Sequence, residues 1–532
     1  MRRAASTIEG LGPIDARADD WIRQVSGARP GVSDAVQRQI RELLDTGGAM
    51  SLRAAQAGVP YLVRRLLELS VLSTNEAVRL FRQLGILSVA DLATGLDDGR
   101  IRAVIGDAIA ERLRLVPQAL ETDARALTLG RAWELLDPLI AAIVEVCPAV
   151  GGLTPAGDVR RFEPLVSALV LVGHAPDPQS AVDAICALKG LNDVLHRSSR
   201  RAILLFQEAE VDVRITSPEE YGTVLFRATG SRAHLAALNE RRPLPRLAAR
   251  EEDVYTHAGL PYIAPELRHA DGEIEAAAAK ALPLLVDRVH IRGDLHMHSS
   301  YSDGRDTVAA MVAACAALGY EYIAITDHSE RAAASRTLTL DQLARQAEEI
   351  ALLREHYPAL TILHGIEADI LPDGRLDCPD AILETLDIVL ASLHDPAGHD
   401  PRALTHRCIQ AIRHPLTNII THPANRLVGR RAGYELDFDA IYAAAAETGT
   451  ALEIDGAPSH LDLDGAHARV AVASGVTVTI DSDCHRTSAL DRQMRLGLGT
   501  ARRGWVEPRH VLNTRPIAEV RAFIGSKRSR RG

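Results

Sequence analysis

A chain of 532 residues is two to four times the usual single-domain length, so two or three hydrophobic cores are expected. With 47% hydrophobic and 24% charged residues and no apolar run reaching the roughly 18 residues of a membrane span, the composition excludes an integral membrane protein and predicts a globular one with no membrane partner. Residues 1–250 carry 31 Lys+Arg against 30 Asp+Glu, and residues 251–532 carry 29 against 40. Neither half shows the basic excess of a free-standing nucleic-acid binder, although bound divalent cations would offset charge in the second. The six cysteines are scattered with no CxxC pair, which argues against a disulfide framework or a zinc ribbon and fits a reducing cytoplasm. The basic N-terminus MRRAASTIEG lacks the apolar core of a secretory signal.

Residues 1–125 carry helical periodicity. AVQRQIRELLDTG and PYLVRRLLELS place apolar residues at i, i+3, i+4 and i+7, each before a turn. Short helices joined by tight turns are predicted there. From about 129 to 250 a helix (RAWELLDPLIAAIVEV) alternates with short apolar strands (SALVLVG, VDVRIT), an α+β pattern. Residues 251–287 read as a linker and lead-in helix, and the basic run Lys527–Arg531 as a solvated tail.

From residue 288 one rhythm takes over. VHIRGDLHMH, YEYIAITDH, LTILHGIEAD, LDIVLASLH, TNIITHP, TALEIDG and VTVTIDSDCH are β-rich runs that end in polar residues, with helical stretches between them. Seven strands alternating with helices predict parallel pairing and closure toward a barrel, whose strand C-termini converge on one face. Fifteen of the 20 histidines lie after residue 289. His296 and His298 are spaced i, i+2, as are Asp483 and His485, so each pair projects to one side of an extended chain. Asp303, His328, Glu367, His394 and His422 fall at the other strand ends. Nine N/O donors without a thiolate suit two or three divalent ions such as Mn²⁺, Zn²⁺ or Fe²⁺. Such a cluster clamps phosphoryl oxygens and makes hydroxide available near neutral pH.

The segments GDLHMHSSYSDG, YIAITDHS, HGIEADILPDG, ASLH, THP and DSDCH resemble the PHP (polymerase and histidinol phosphatase) domain. GIEADILPDGRLD, ANRLVGRR and ARRGWVEPRHVLNTRP are similar to the branch at the C-terminus of bacterial family-X DNA polymerases. The resemblance implies a distorted (β/α)7 barrel over 288–525 with a trinuclear metal site that hydrolyses phosphate esters. In the polymerase branch it implies manganese-dependent 3′–5′ exonuclease and 3′-end phosphatase activity. All nine family ligand positions are filled. The resemblance has Glu367 bridging two metals, and Glu367, His328 and Asp303 at the centre of catalysis. Arg426, Arg430 and Arg431 follow the His422 strand end and are candidates to hold substrate phosphates. Two departures stand out. Asp455 replaces the usual Asn after the sixth strand, where it could alter metal preference, repel phosphate or simply accept a hydrogen bond. DPAGHD follows His394 where the family has a Ser-rich loop with an aromatic.

The resemblance continues upstream in degenerate form. ARPGVSDAVQRQIRELLDTGG resembles the first helix-hairpin-helix of family-X polymerases, with Gly31 kept and Ser33 in place of a second glycine. LLELSVLSTNEAVRLFRQLGILSVADL resembles the second, with Val71 and Ser73 replacing both glycines, which weakens the case for a DNA clamp. The chain begins inside this module, which suggests truncation. Residues 126–275 resemble the palm and thumb. The metal-binding Asp-x-Asp of the family aligns with Ser167 and Leu169, Asp212 matches the third aspartate, and TGSRAHLAALNERR matches the nucleotide-side segment. Asp158 stands where the family's Gly-Ser turn meets a triphosphate. Without two of three carboxylates nucleotidyl transfer is expected to be absent. Lyase chemistry needs a lysine amine, and no lysine precedes Lys189.

The expected architecture is therefore multidomain: an all-α helix-hairpin-helix region, an α+β degenerate nucleotidyltransferase palm and thumb, and a PHP barrel. The leading expectation is a cytoplasmic metal-dependent phosphoesterase on DNA 3′ ends. A small-molecule phosphatase of the histidinol-phosphatase type and a non-catalytic nucleic-acid-binding repair scaffold are the alternatives.

Overall fold

The alternating pattern after residue 288 is realised as seven parallel strands in sequence order. The computed structural model describes residues 59–68, 71–114, 126–332, 336–394 and 400–529. The chain divides into two compact units, one drawn from residues 1–122 and 178–214 and the other from 123–177 and 215–532.

In the first unit five helices, Tyr61–Glu68, Thr74–Leu84, Val89–Asp97, Arg100–Ile105 and Asp107–Arg114, realise the predicted helical array. Their apolar stripes close on Leu66, Leu80, Leu92, Ile101 and Leu113, all buried. Ser73 has a use of its own. Its hydroxyl accepts from Glu76 N, and the Glu76 carboxylate accepts from Ser73 N at 2.6 Å, a capping box that starts Thr74–Leu84. The backbone of Ser73 is extended, with φ −73°, so no glycine is required there. The first hairpin, with Gly31 and Ser33, lies outside the described residues. Helix Pro178–Cys186 and an antiparallel set, Asp193–Arg197 with Arg201–Phe206 and Ala209–Thr216, complete this unit's described elements. Asp212 is held by Arg201 and Arg214 at 2.7 to 2.9 Å. Burial would raise its pKa, but the two guanidinium groups outweigh that and hold it low.

The second unit begins with helix Leu129–Val146 and the antiparallel pair Gly151–Pro155 with Leu169–His174. Leu169 is buried core, while Ser167 donates from its backbone N to Asp158 at 2.8 Å and also from its hydroxyl at 2.5 Å. Arg161 pairs with the same carboxylate at 2.5 Å. The stretch 251–287 corrects the expectation of a linker. Helices Glu251–His257 and Glu273–Ala278 and the segment between them bury Tyr255, Ile263, Leu267 and Ile274 against Phe226.

The barrel strands are β1 (Gly293–Asp294), β2 (Tyr322–Ile325), β3 (Thr361–Asp369), β4 (Ile388–Ser392), β5 (Ile419–Ile420), β6 (Ala451–Asp455) and β7 (Val478–Asp481). Each pairs in parallel with its sequence neighbours. β2, β4, β5, β6 and β7 are buried on both faces, which is why they read as continuous apolar runs rather than alternating ones. Helices cover them. Leu340–His356, for example, starts at a Thr339–Gln342 capping box, buries Leu343, Gln346 and Ile350, and stops before Pro358.

Side chains bridge the gap between β1 and β7. Asp481 Oδ1 accepts from Leu295 N at 2.8 Å, and Asp294 Oδ1 from Ser482 N at 3.1 Å. Asn513 Nδ2 donates to Gly293 O and Ile480 O, and a parallel bridge joins Met297 to Cys484. The result is a nearly closed barrel.

The C-terminus also departs from expectation. Lys527 lies on helix Ile517–Arg528 and is buried, not solvated. Its ammonium donates to Ile412 O, Thr417 O and Thr450 Oγ1 at 2.5 to 2.6 Å, satisfying the charge that burial would otherwise strand.

Candidate metal centre

All nine predicted donors reach the C-terminal end of the barrel. His296 and His298 lie just past β1 and flank Met297, while Asp483 and His485 lie past β7 and flank Cys484. The bridge between Met297 and Cys484 sets these two i, i+2 pairs side by side. The donors therefore sit on extensions of the strands rather than within them. His328 follows β2 and bridges to Glu367 in β3, His394 follows β4, and His422 follows β5. Asp303 sits on the loop after β1. That loop is pinned to the end of β2 by Asp327, which accepts from Ser299 N and Oγ and from Ser302 N, and takes Gln346 Nε2 at 2.6 Å.

Glu367 is the centre of the arrangement. Its carboxylate lies 2.7 Å from His328 Nδ1, 3.0 Å from His422 Nε2, and 3.5 to 3.6 Å from His298, His394 and His296. Asp483 Oδ1 is 3.1 Å from His298 Nε2, and Asp303 Oδ1 is 3.2 Å from His485 Nε2 and 3.6 Å from His328 Nε2. Burial raises the Glu367 carboxyl, yet the surrounding imidazoles hold it well below the usual range. For Asp303 they bring it to about 2. Burial alone would lower His422 and His485, but their carboxylate partners lift both to about 9. His422 and Asp483 have φ of 27° and 47°, the left-handed region that bulky residues avoid, and such strain concentrates at functional sites.

The donor set fits divalent metal. Nδ1 of His298 and of His422 is buried without a hydrogen-bond partner, and the close pairs His328 Nδ1–Glu367 Oε2 and His485 Nε2–Asp303 Oδ1 lack hydrogen-bond geometry. His296 Nε2 faces His298 Nε2 at 3.1 Å. Separations of this size are the edges of a coordination polyhedron with bonds of roughly 2.1 Å. Among the described residues three groups have donor atoms lying within 4.8 Å of one another: His298, Asp303, His328 and His485; His296, His298 and Glu367; and His328, Glu367 and His394.

The residues that aim these donors were not among the expected site residues. Glu453 on β6 accepts from His296 Nδ1 at 2.7 Å and from His422 N at 2.8 Å, which leaves His296 Nε2 as the free lone pair. Asp369, two residues after Glu367, accepts from His394 Nδ1 at 2.5 Å and does the same for that ring. Both lie at i, i+2 from residues singled out in the sequence, so strand alternation was the available signal. His460 stacks on His422 with ring centroids 5.3 Å apart.

Asp455 accepts from Ala457 N at 2.5 Å, and its Oδ2 is buried without a partner. Burial, with Asp483 and Glu453 nearby, pushes its carboxyl well above the normal range. It ties down its own loop. Of the three arginines, Arg426 spends its guanidinium on His460 O at 2.8 Å, Leu461 O and Asp464. Arg431 Nη2 donates to Asn425 O and Oδ1, and Arg430 is exposed. The loop after His394 (395–399) lies outside the described residues.

A nearly closed parallel barrel with an imidazole–carboxylate cluster at its strand C-termini is the frame of a PHP domain, and residues 294–435 match that family. Beyond the barrel, the chain is 30% identical over 98% of its length to the "DNA polymerase/3'-5' exonuclease PolX" of Bacillus subtilis strain 168, covering 94% of that protein. It belongs to the bacterial family-X DNA polymerases that carry a C-terminal PHP domain. The chain is also 27% identical over 250 residues to a Thermoanaerobacter sp. (strain X514) protein named "Probable phosphatase", spanning 45% of this chain and 96% of the relative. A solved histidinol phosphate phosphatase from Lactococcus lactis, in complex with zinc, L-histidinol and phosphate, superposes with a TM-score of 0.32 at 17% identity. It covers 40% of this chain and 93% of that one. Among the described residues no helix is long and apolar enough to cross a membrane.

Proposed function

We propose that this protein is a metal-dependent phosphoesterase that trims or dephosphorylates DNA 3′ ends, and that its polymerase core transfers no nucleotides. The observation that carries the hydrolytic reading is the set of nine donors centred on Glu367, five of them, Glu367 included, with buried atoms that no hydrogen bond satisfies. Bound divalent ions would supply an activated water and charge stabilisation for in-line displacement at phosphorus. The protein's own part is to aim the donors. Glu453 and Asp369 set the tautomers of His296 and His394, and Asp327 fixes the loop bearing Asp303. Glu367, His328 and Asp303 then line the centre where the reacting phosphate sits. The chain-long relation to a polymerase and 3′–5′ exonuclease supports DNA as the substrate. The loss of the palm carboxylates is supported by what replaces them: Ser167 donates to Asp158, and Leu169 is core.

A second reading, a small phosphate ester as substrate, is favoured by the barrel-length relation to a protein named as a phosphatase. One assay separates the two. With Mn²⁺, 5′-labelled DNA carrying a 3′-hydroxyl or 3′-phosphate should be shortened or dephosphorylated, and His296→Ala with His328→Ala should abolish both. Intact DNA from protein that still hydrolyses p-nitrophenyl phosphate would establish the small-ester reading. Activity that survives the double substitution would refute the metal centre.

A further inference from the structure

A cavity of about 630 Å³ is lined by the Arg426–Arg431 loop, which follows His422 in the chain. This volume is within the roughly 300–1,000 Å³ typical of small-molecule sites. Its wall combines Tyr434, Phe438 and Val428 with Arg430 and Arg431, and Leu165 enters from the palm-like segment; of its carboxylates, Asp464 is paired with Arg426, Asp462 is buried, and Glu435 completes the lining. Leu165 is 41% exposed on its short paired strand. Its Cδ2 lies 3.1 Å from where a Cβ on Gly429 would stand, so the palm-like strand packs onto the arginine loop at the cavity edge. Phe438 is braced by the His467 ring at 4.2 Å, and Tyr434 by Asn425 Nδ2 at 2.7 Å.

The cavity is wired to the metal centre. Arg426 lines it, and the Arg426 carbonyl accepts from His460 Nδ1 at 2.9 Å, while the His460 ring stacks on His422. Flat aromatic and aliphatic walls accept a nucleobase of any sequence, and the exposed Arg430 at the rim suits a phosphate beside it. A sugar phosphate or amino-alcohol phosphate would leave those walls uncovered.

We propose that this cavity seats the nucleobase of a DNA strand end, with the exposed Arg430 on a flanking phosphate and Leu165 of the vestigial palm as one wall. The inference rests on the DNA reading above and gives the polymerase-derived segment a part in substrate recognition.

The test uses the full chain with Mn²⁺ and a 5′-fluorescein, phosphorothioate-protected single-stranded decanucleotide, followed by anisotropy. A strand ending in a normal nucleotide should bind about tenfold more tightly than the same strand ending in an abasic site. Leu165→Ala and Phe438→Leu should each erase most of that difference by weakening only the base-bearing strand, with melting temperatures held. Equal affinity for the two strands in the unmodified protein would overturn the proposal, as would variants that preserve the tenfold gap. The binding readout needs no turnover, so absent phosphoesterase activity would count against the DNA-end hydrolase and leave the base site to be decided by anisotropy.

Discussion

Replacing Glu453 by Gln tests whether the candidate centre is aimed by its surroundings. The wild-type carboxylate accepts two donors, His296 Nδ1–H at 2.7 Å and His422 N–H at 2.8 Å. A glutamine of equal size has one acceptor and one donor. If Oε1 keeps the backbone N–H of His422, which cannot reverse its role, the amide NH₂ faces His296 Nδ1. That nitrogen must then present a lone pair, and the ring proton moves to Nε2. The Thr421 hydroxyl, 3.2 Å from the same Nδ1, can donate to it as well and reinforces the swap. Nε2 is the atom that faces His298 Nε2 at 3.1 Å, Glu367 at 3.6 Å and Asp483 at 3.7 Å, and a protonated Nε2 cannot ligate. The expected cost is about 10- to 100-fold in metal affinity, or about 1.4 to 2.7 kcal/mol. Stability should change by about 1 kcal/mol or less, because the buried volume is kept and both new contacts are hydrogen-bonded. Calorimetric titration of EDTA-treated protein with Mn²⁺, beside p-nitrophenyl phosphate hydrolysis over a Mn²⁺ series, reads the effect as a rightward shift partly recovered at high metal. An affinity within twofold of wild type in a variant with an unchanged melt would refute the argument.

Four further outcomes follow from the same contacts. Lys527→Met removes three donors to Ile412 O, Thr417 O and Thr450 Oγ1, and thermal melting should show a loss of about 2–4 kcal/mol. Gly499→Ala places a Cβ 1.9 Å from Phe162 Cδ1, so overpacking of about 1–3 kcal/mol should outweigh the roughly 1 kcal/mol that helix propensity gains, and the melting temperature should fall. His364 is buried and its pKa is depressed to about 4, so the unfolded chain binds more protons than the native one between pH 6.5 and 4. Stability is therefore fully present above pH 6.5 and is lost as pH falls toward 4, and His364→Gln should flatten that part of the melting-temperature profile. Primer extension with four deoxynucleoside triphosphates and Mg²⁺ should yield no product, since Ser167 and Leu169 offer no carboxylate; extension would show that other groups hold the triphosphate.

The nine candidate donors were legible because all but Asp303 lie at or near the end of an apolar run, and a parallel barrel delivers strand ends to one place. The residues that orient them were harder to see because burial hides polar residues within strands. Glu453 reads as part of the run ALEID, and Asp369 as the close of GIEAD. The alternation that paired His296 with His298 would have flagged both, since Glu453 stands two before Asp455 and Asp369 two after Glu367. Asp455 drew notice as an unfamiliar residue, yet its contact is with the nearby Ala457 N, while Glu453 on the same strand holds two donors.

Residues whose partners are distant in sequence gave no such signal. Lys527 sits in a run of basic residues that by composition belongs in water. Only the folded chain brings it to carbonyls more than 100 residues upstream. Arg426 belongs to a loop of arginines that looks uniformly suited to phosphate, but the carbonyls of His460 and Leu461 occupy its guanidinium and divide it from Arg430. Charge type was readable from sequence in both cases. Whether the charge faces a ligand or the protein's own backbone depends on which carbonyls lack another donor, and that is decided only when the strands and their loops are packed.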